Sequence, residues 1–116
     1  MSCHVSVRHA GSVAIIDLNG TITLSSGIGS IRDAVKNAVS GGHKDILLNL
    51  AGVGYMDSSG LGEMVGTYTT VSNLGGRMRL LNAHSRVDSL LHITKLYTVL
   101  ITFHDEDAAL ASFGPS

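Results

Sequence analysis

The chain has 116 residues, of which 44% are hydrophobic and only 15% charged, and its formal net charge is −1. That balance suits one folded domain with a real core, and it excludes a disordered chain, which needs low hydrophobicity and high net charge. It also excludes nucleic acid as the main ligand: the eight basic residues are scattered from Arg8 to Lys95 without a run, whereas phosphate backbones demand a clustered basic surface. The single cysteine, Cys3, can form no internal disulfide and cannot build a zinc site alone. This is compatible with a reducing compartment. The opening residues MSCHVSVRHAG carry neither a basic nor an apolar leader segment, and no window approaches about eighteen uninterrupted apolar residues. The expectation is a soluble cytoplasmic protein that does not insert into a membrane.

In chain order, Val5 and Val7 alternate with polar neighbours as on a half-exposed strand. Gly11-Ser12 reads as a turn, and Val13 to Leu18 as the second strand of a hairpin. Ile28, Ile31, Val35 and Ala38 then recur at helical spacing, with Ala34 and Val39 widening the stripe. Ser25 or Ser26 is the candidate cap of this helix and Gly41-Gly42 its stop, while Gly27 and Gly29 weaken its first turn. Lys44 to Leu50 is a nearly continuous apolar run that fits a strand buried on both faces. A second amphipathic stripe follows at Leu61, Met64, Val65, Tyr68 and Val71, closed by Gly75-Gly76. Arg77 to Ala83 reads as a strand, Val87 to Thr94 as a third helix, Thr98 to Phe103 as a last strand and Glu106 to Phe113 as a terminal helix. The order is ββαβαβαβα, and alternation after the hairpin implies crossovers and a mixed, mostly parallel sheet. Met56, Met64 and Met78 read as core fillers, and Tyr55, Tyr68 and Tyr97 as partly buried packing residues.

Between the third strand and the second helix stand Met56-Asp57-Ser58-Ser59-Gly60-Leu61-Gly62. In open α/β sheets, ligands and chemistry collect at the carboxyl ends of strands, and a helix start offers unpaired N–H groups and a positive dipole end. Acyl transfer is disfavoured. The Gly-x-Ser-x-Gly elbow is absent, because neither Ser58 nor Ser59 has a glycine two residues before it. None of the six histidines, His43 and His84 included, stands in an arrangement that suggests a triad. Gly60, Gly62 and Gly66 miss the dinucleotide fingerprint by one residue and begin inside the helix instead of before it. Asp57 or Ser58 can cap the helix, but a cap leaves the second hydroxyl and both glycines unexplained. The remaining reading is phosphorylation: a phosphoserine adds roughly −1.5 to −2 charges, which a helix N-terminus tolerates and a packed partner does not.

The stretches ILLNLAGVGYMDSSGLGEMVGTY and GGRMRLLN strongly resemble the STAS domain of bacterial anti-sigma factor antagonists, and the similarity runs from Val5 to Phe113. The resemblance implies a single STAS domain over residues 1–116, its core at about 5–113, with helices packed mainly on one face of the sheet. It implies a partner switch instead of an enzyme. The unphosphorylated protein binds an anti-sigma factor that is also a serine kinase and so frees a sigma factor. The kinase then phosphorylates Ser58, and a serine phosphatase resets it. Ser59 aligns with a neighbour that is not the usual acceptor. ATP and Mg²⁺ belong to the kinase, so no cofactor or metal is expected in this chain.

The resemblance also groups Thr23, Asp57, Ser58, Ser59, Gly60, Leu61 and Gly62 into one partner-binding surface, with the glycines admitting the partner's backbone. An exposed apolar patch around Leu61 would serve that partner or a second copy of the chain in a homodimer. Thr23 departs from the pattern, since many antagonists carry an aspartate there. It keeps a hydroxyl but removes a carboxylate, which reads either as neutral or as the mark of a different kinase partner. The alternative function is a STAS scaffold subunit of a transporter or signalling complex, without phosphorylation.

Overall fold

A computed structural model describes residues 3–23 and 28–114. Strands β1 (Cys3–Ala10) and β2 (Val13–Ile22) form a hairpin turned at Gly11. They are followed by α1 (Ile28–Ser40), β3 (Asp45–Met56), α2 (Ser58–Asn73), β4 (Arg77–Leu81), α3 (Ser85–Ile93), a 3₁₀ turn (Leu96–Thr98), β5 (Thr102–Phe103) and α4 (Glu106–Ala111). The order of strands and α-helices is the one the sequence implies. The proposed caps Ser25 and Ser26, and Gly27, lie outside the described residues.

The strands stand side by side in chain order, β1 antiparallel to β2 and all later pairs parallel. Each parallel crossover therefore steps in the same direction. With the usual right-handed connection, this puts α1, α2 and α3 on one face. The main core lies there. Ala14, Ile16 and Leu18 of β2 and Ile46, Leu48 and Leu50 of β3 meet Ile31 and Val35 of α1, Met64 and Val71 of α2, and Leu91 of α3. The opposite face carries a smaller core, in which Ala109 and Phe113 at the end of the chain cover Val13, Ile15, Leu47 and Leu81. Ile46, Leu47 and Leu48 are all fully buried, as expected of a strand covered on both sides. Met56, Met64 and Met78 are core residues, whereas Tyr55 and Tyr97 are exposed.

Several strand boundaries differ from the sequence reading, chiefly those of β2, β3 and β5. The third strand does not stop at Leu50 but runs to Met56. β2 extends equally far, so that Gly20 pairs with Val53 and Ile22 with Met56, through register shifts after Asp17 and after Gly20. Val53 and Met56 are buried and anchor this extension. β4 pairs with β3 only from Asp45 to Asn49, so the β2–β3 ribbon projects past β4. The last strand, expected over 98–103, is only Thr102–Phe103. Lys95 adopts a left-handed φ of 62°, and the amides of Val99 and Leu100 turn back onto the Leu96 carbonyl at 2.9 and 2.8 Å. Those amides are thereby withheld from the sheet.

The small face is clamped by charge. Arg8 donates to both carboxylate oxygens of Asp17, at 2.6 and 3.0 Å, and reaches Glu106 of α4 at 2.8 Å. Asn49 donates to Asp17 at 2.8 Å. The Arg8 guanidinium holds the Asp17 carboxyl below the usual carboxylate range against the opposing cost of burial, and Asn49 adds to the effect. A carboxyl depressed on folding stabilises the protein above its unfolded pKa of about 4 and loses that contribution as pH falls through the folded value. The pair is partly solvated, which limits it to no more than about 1 kcal/mol. Thermal melts of the parent and of Asp17→Asn should therefore differ near neutrality and converge as the pH falls to about 3; a gap that does not change with pH contradicts the assignment.

Candidate functional site

The projecting ribbon ends in a turn whose parts are fixed from within. Asp57 leaves β3 in extended conformation, and its amide donates to the Ile22 carbonyl at 3.2 Å. Its side-chain oxygen then accepts from the Gly60 amide at 2.8 Å. The helix consequently starts at Ser58, three residues before the apolar stripe begins at Leu61. Asp57 is the cap. The Ser58 hydroxyl takes no part in it, makes no hydrogen bond among the described residues and is exposed, while Ser59 is half-buried.

Two of the residues assigned to a partner surface are used internally. Leu61 is only 3% exposed and belongs to the main core, so the apolar patch expected around it is not on the surface. The same stripe that carries Met64 and Val71 pulls it inward. Gly60 is also buried, and a Cβ built there would lie 2.5 Å from the Ile22 carbonyl oxygen. The close approach that glycine permits is thus to the chain's own β2. Gly62 differs, because a Cβ there meets nothing within 4 Å and the residue faces outward. Thr23, half-buried, follows Ile22 and so stands beside the turn.

Ser58 borders an open recess of about 670 Å³ between the ribbon and α3, walled by Tyr55, Asp57, Ser85, Leu90 and Ile93. Ile93 is 78% exposed and Tyr55 42%. Exposed apolar surface therefore does lie next to Ser58, but on α3 and β3 instead of at Leu61. Among the described residues that line it, Asp57 is the only one with a charged side chain. Among the described residues no group of histidine, cysteine or carboxylate side chains could hold a metal ion, and no helix is long and apolar enough to cross a membrane.

Two tertiary ties hold the elements around the turn and were invisible in the sequence. The His84 ring, directly before α3, bonds through Nε2 to the Ala51 carbonyl on the unpaired edge of β3 at 2.8 Å. Arg32 of α1 pairs with Glu63 of α2, one helical turn beyond Ser59. Neither pair is marked by spacing, because the partners are 33 and 31 residues apart.

The family model for the STAS domain matches residues 4–109. The chain belongs to the STAS domain family. An anti-sigma F factor antagonist of Paenibacillus polymyxa is 27% identical to it over 111 residues, which cover 95% of this chain and 94% of that protein. Among solved structures, an anti-sigma factor antagonist from Mycobacterium paratuberculosis superposes with a TM-score of 0.82 at 18% identity, over 95% of this chain and 92% of the other. The Bacillus cell fate determinant SpoIIAA in its phosphorylated form superposes with a TM-score of 0.70 at 22% identity, over 91% and 96% of the two chains. At these identities the superpositions speak for the fold.

The two glycines of this STAS turn should respond oppositely to substitution. Gly60→Ala drives a methyl into the Ile22 carbonyl and should destabilise by about 1–3 kcal/mol, as overpacking does. Gly62→Ala should be neutral or stabilising by up to about 1 kcal/mol, since helical alanine is favoured and the space is open. Denaturant unfolding of both variants decides this, and equal losses at the two positions would refute the placement.

Proposed function

We propose that this chain is an anti-sigma factor antagonist switched by phosphorylation of Ser58. The observation that carries the reading is the division of labour at the turn: Asp57 performs the capping, and the Ser58 hydroxyl at the helix start is exposed and makes no hydrogen bond among the described residues. The likeness to an anti-sigma F factor antagonist over nearly the whole chain supports it, and so does the likeness of fold to a protein solved in a phosphorylated form.

In this reading the unphosphorylated turn docks on an anti-sigma factor that is also a serine kinase, and a sigma factor is freed. The docking surface comprises Thr23, Asp57, Ser58, Ser59 and Gly62, continued across the recess by Tyr55 and Ile93. Gly60 and Leu61 act beneath it by holding the turn in place. The kinase moves the γ-phosphoryl group of ATP to the Ser58 oxygen. The chain is substrate and ligand in this exchange, has no turnover of its own and works in the cytoplasm.

The new charge, roughly −1.5 to −2 at neutral pH, sits at the positive end of α2, so the fold tolerates it. Among the described residues that line the recess no cation neutralises it, and Asp57 adds to it. The face turns strongly anionic, and the partner is expelled by repulsion and by the cost of burying an unpaired charge. A serine phosphatase restores the binding face.

Phosphopeptide mapping of the protein from its own cells should place the phosphate on Ser58, and phosphatase treatment should remove it. Binding to the cognate anti-sigma factor should survive Ser58→Ala and weaken at least about tenfold, or ~1.4 kcal/mol, in Ser58→Asp. An unmodified Ser58 under several growth conditions, together with equal affinity of both variants, would reject the switch in favour of a scaffold role.

A further inference from the structure

The two edges of the sheet are protected unequally. One edge is β5, which is only two residues long. The other is β1, which runs for eight residues and pairs with β2 along its whole length without a register shift. Among the described residues no strand pairs with its outer side. An open edge invites a further strand, and folded proteins blunt it with short length, a proline, a bulge or an outward charge. β1 has neither proline nor bulge. Its one permanently charged side chain, Arg8, is held by Asp17 of β2 and Glu106 of α4.

On the helix side this edge borders a groove of about 640 Å³ between β1 and α1. Val5, Val7 and His9, alternate residues on one face of the strand, line it. Val7 is 43% exposed. The α1 helix runs in the same direction as β1, because it leads from the end of β2 back to the start of the parallel β3. Asp33 therefore stands towards the start of β1, and Gly41 and His43 towards its end. The Asp33 carboxylate makes no hydrogen bond or ion pair among the described residues. The His9 and His43 rings lie 4.4 Å apart between centroids, and neither is hydrogen-bonded among the described residues. An imidazole carries at least one N–H donor whether neutral or charged. The groove thus has an acceptor at one end and donors at the other, a pattern complementary to its own reverse.

We propose that β1 is a self-association edge: two copies of this chain pair β1 with β1, antiparallel, about a two-fold axis at Val7. The two five-stranded sheets become one continuous sheet. The symmetry sets Val7 against Val7 of the other copy, Val5 against its His9 and Ser6 against its Arg8, so like charges do not face each other. The Asp33 end of each groove meets the His9–His43 end of the other, and the carboxylate accepts from the imidazole N–H groups. The two α1 helices flank the seam and cover the valines. Leu61 has no part in this contact, since it lies in the core. The axis reverses strand direction, so the two Ser58 turns, each following the end of β3, point to opposite ends of the joined sheet. Each turn can then meet a partner without obstruction by the other.

Sedimentation equilibrium of the intact, unmodified chain, from about 1 to about 500 µM, should show a monomer–dimer equilibrium with a Kd on the order of 10–100 µM, as suits a small interface. Val7→Lys should weaken it at least tenfold, because a charge on the edge opposes pairing. Ile93→Lys, at the recess beside Ser58, should leave it unchanged. Should Val7→Lys disturb folding, Asp33→Ala on the exposed side of α1 leaves the strand intact and should weaken the dimer several-fold. In a mixture of labelled and unlabelled chains, filtered NOEs should join the Val5 methyls of one copy to the His9 ring of the other. A chain monomeric throughout that range, a dimer insensitive to both Val7→Lys and Asp33→Ala, a dimer lost in Ile93→Lys, or a dimer without those NOEs overturns the assignment.

Discussion

The contact on which the site depends is the seating of the first turn of α2 against the end of β2. Gly60 leaves no Cβ between the helix and the Ile22 carbonyl, and the same carbonyl accepts the Asp57 amide. Beneath it Leu61 and Met64 enter the core and prevent the helix from rotating. With those points fixed, Ser58 has one place to go, and it is outside. Any side chain at position 60 would lift the turn off β2 and loosen the presentation of the hydroxyl two residues earlier.

The rest of the fold supplies the platform. A parallel step always in the same direction places three helices on one face and leaves the other to the short α4. β2 and β3 stay paired to Ile22 and Met56 while β4 leaves β3 after Asn49, which carries the turn past the end of β4 while Val53 and Met56 keep it anchored. His84 and the Arg32–Glu63 pair then brace the ribbon and α2 from both sides. Anchoring of the turn at these points has an electrostatic use. A charge added to a fixed helix start cannot fold away to find a distant cation, so it remains on the surface that a partner would cover.

Much of this was legible because the alternation of strand and helix patterns is strong and the connections are short. The order of elements, the burial of Ile46 to Leu48 and the methionine fillers follow from pattern alone. The length of β3 does not, because Ala51, Gly52 and Gly54 carry no strand signal of their own; they are extended because β2 lies beside them. The shortness of β5 depends on the left-handed Lys95, a position no propensity marks. Leu61 belongs to an inward stripe, yet its neighbours suggested an exposed patch; a short motif does not say which side of a helix meets the core. The apolar surface near Ser58 is supplied instead by Tyr55 and Ile93, brought together only by the packing of α3 on β3. The Arg8–Asp17–Glu106 clamp joins residues up to 98 positions apart and left no trace in local sequence.

The central claim is that phosphorylation changes the charge of a preformed surface without rebuilding it. Backbone amide spectra of the chain before and after complete phosphorylation at Ser58 test this most directly. The account requires changes confined to residues 55–62 and the facing residues of α3, with the Gly60 amide still protected from exchange by its bond to Asp57. Shifts spread through β2, β4 and α4, or loss of protection at Gly60, would show that the switch works by rearrangement and would contradict it.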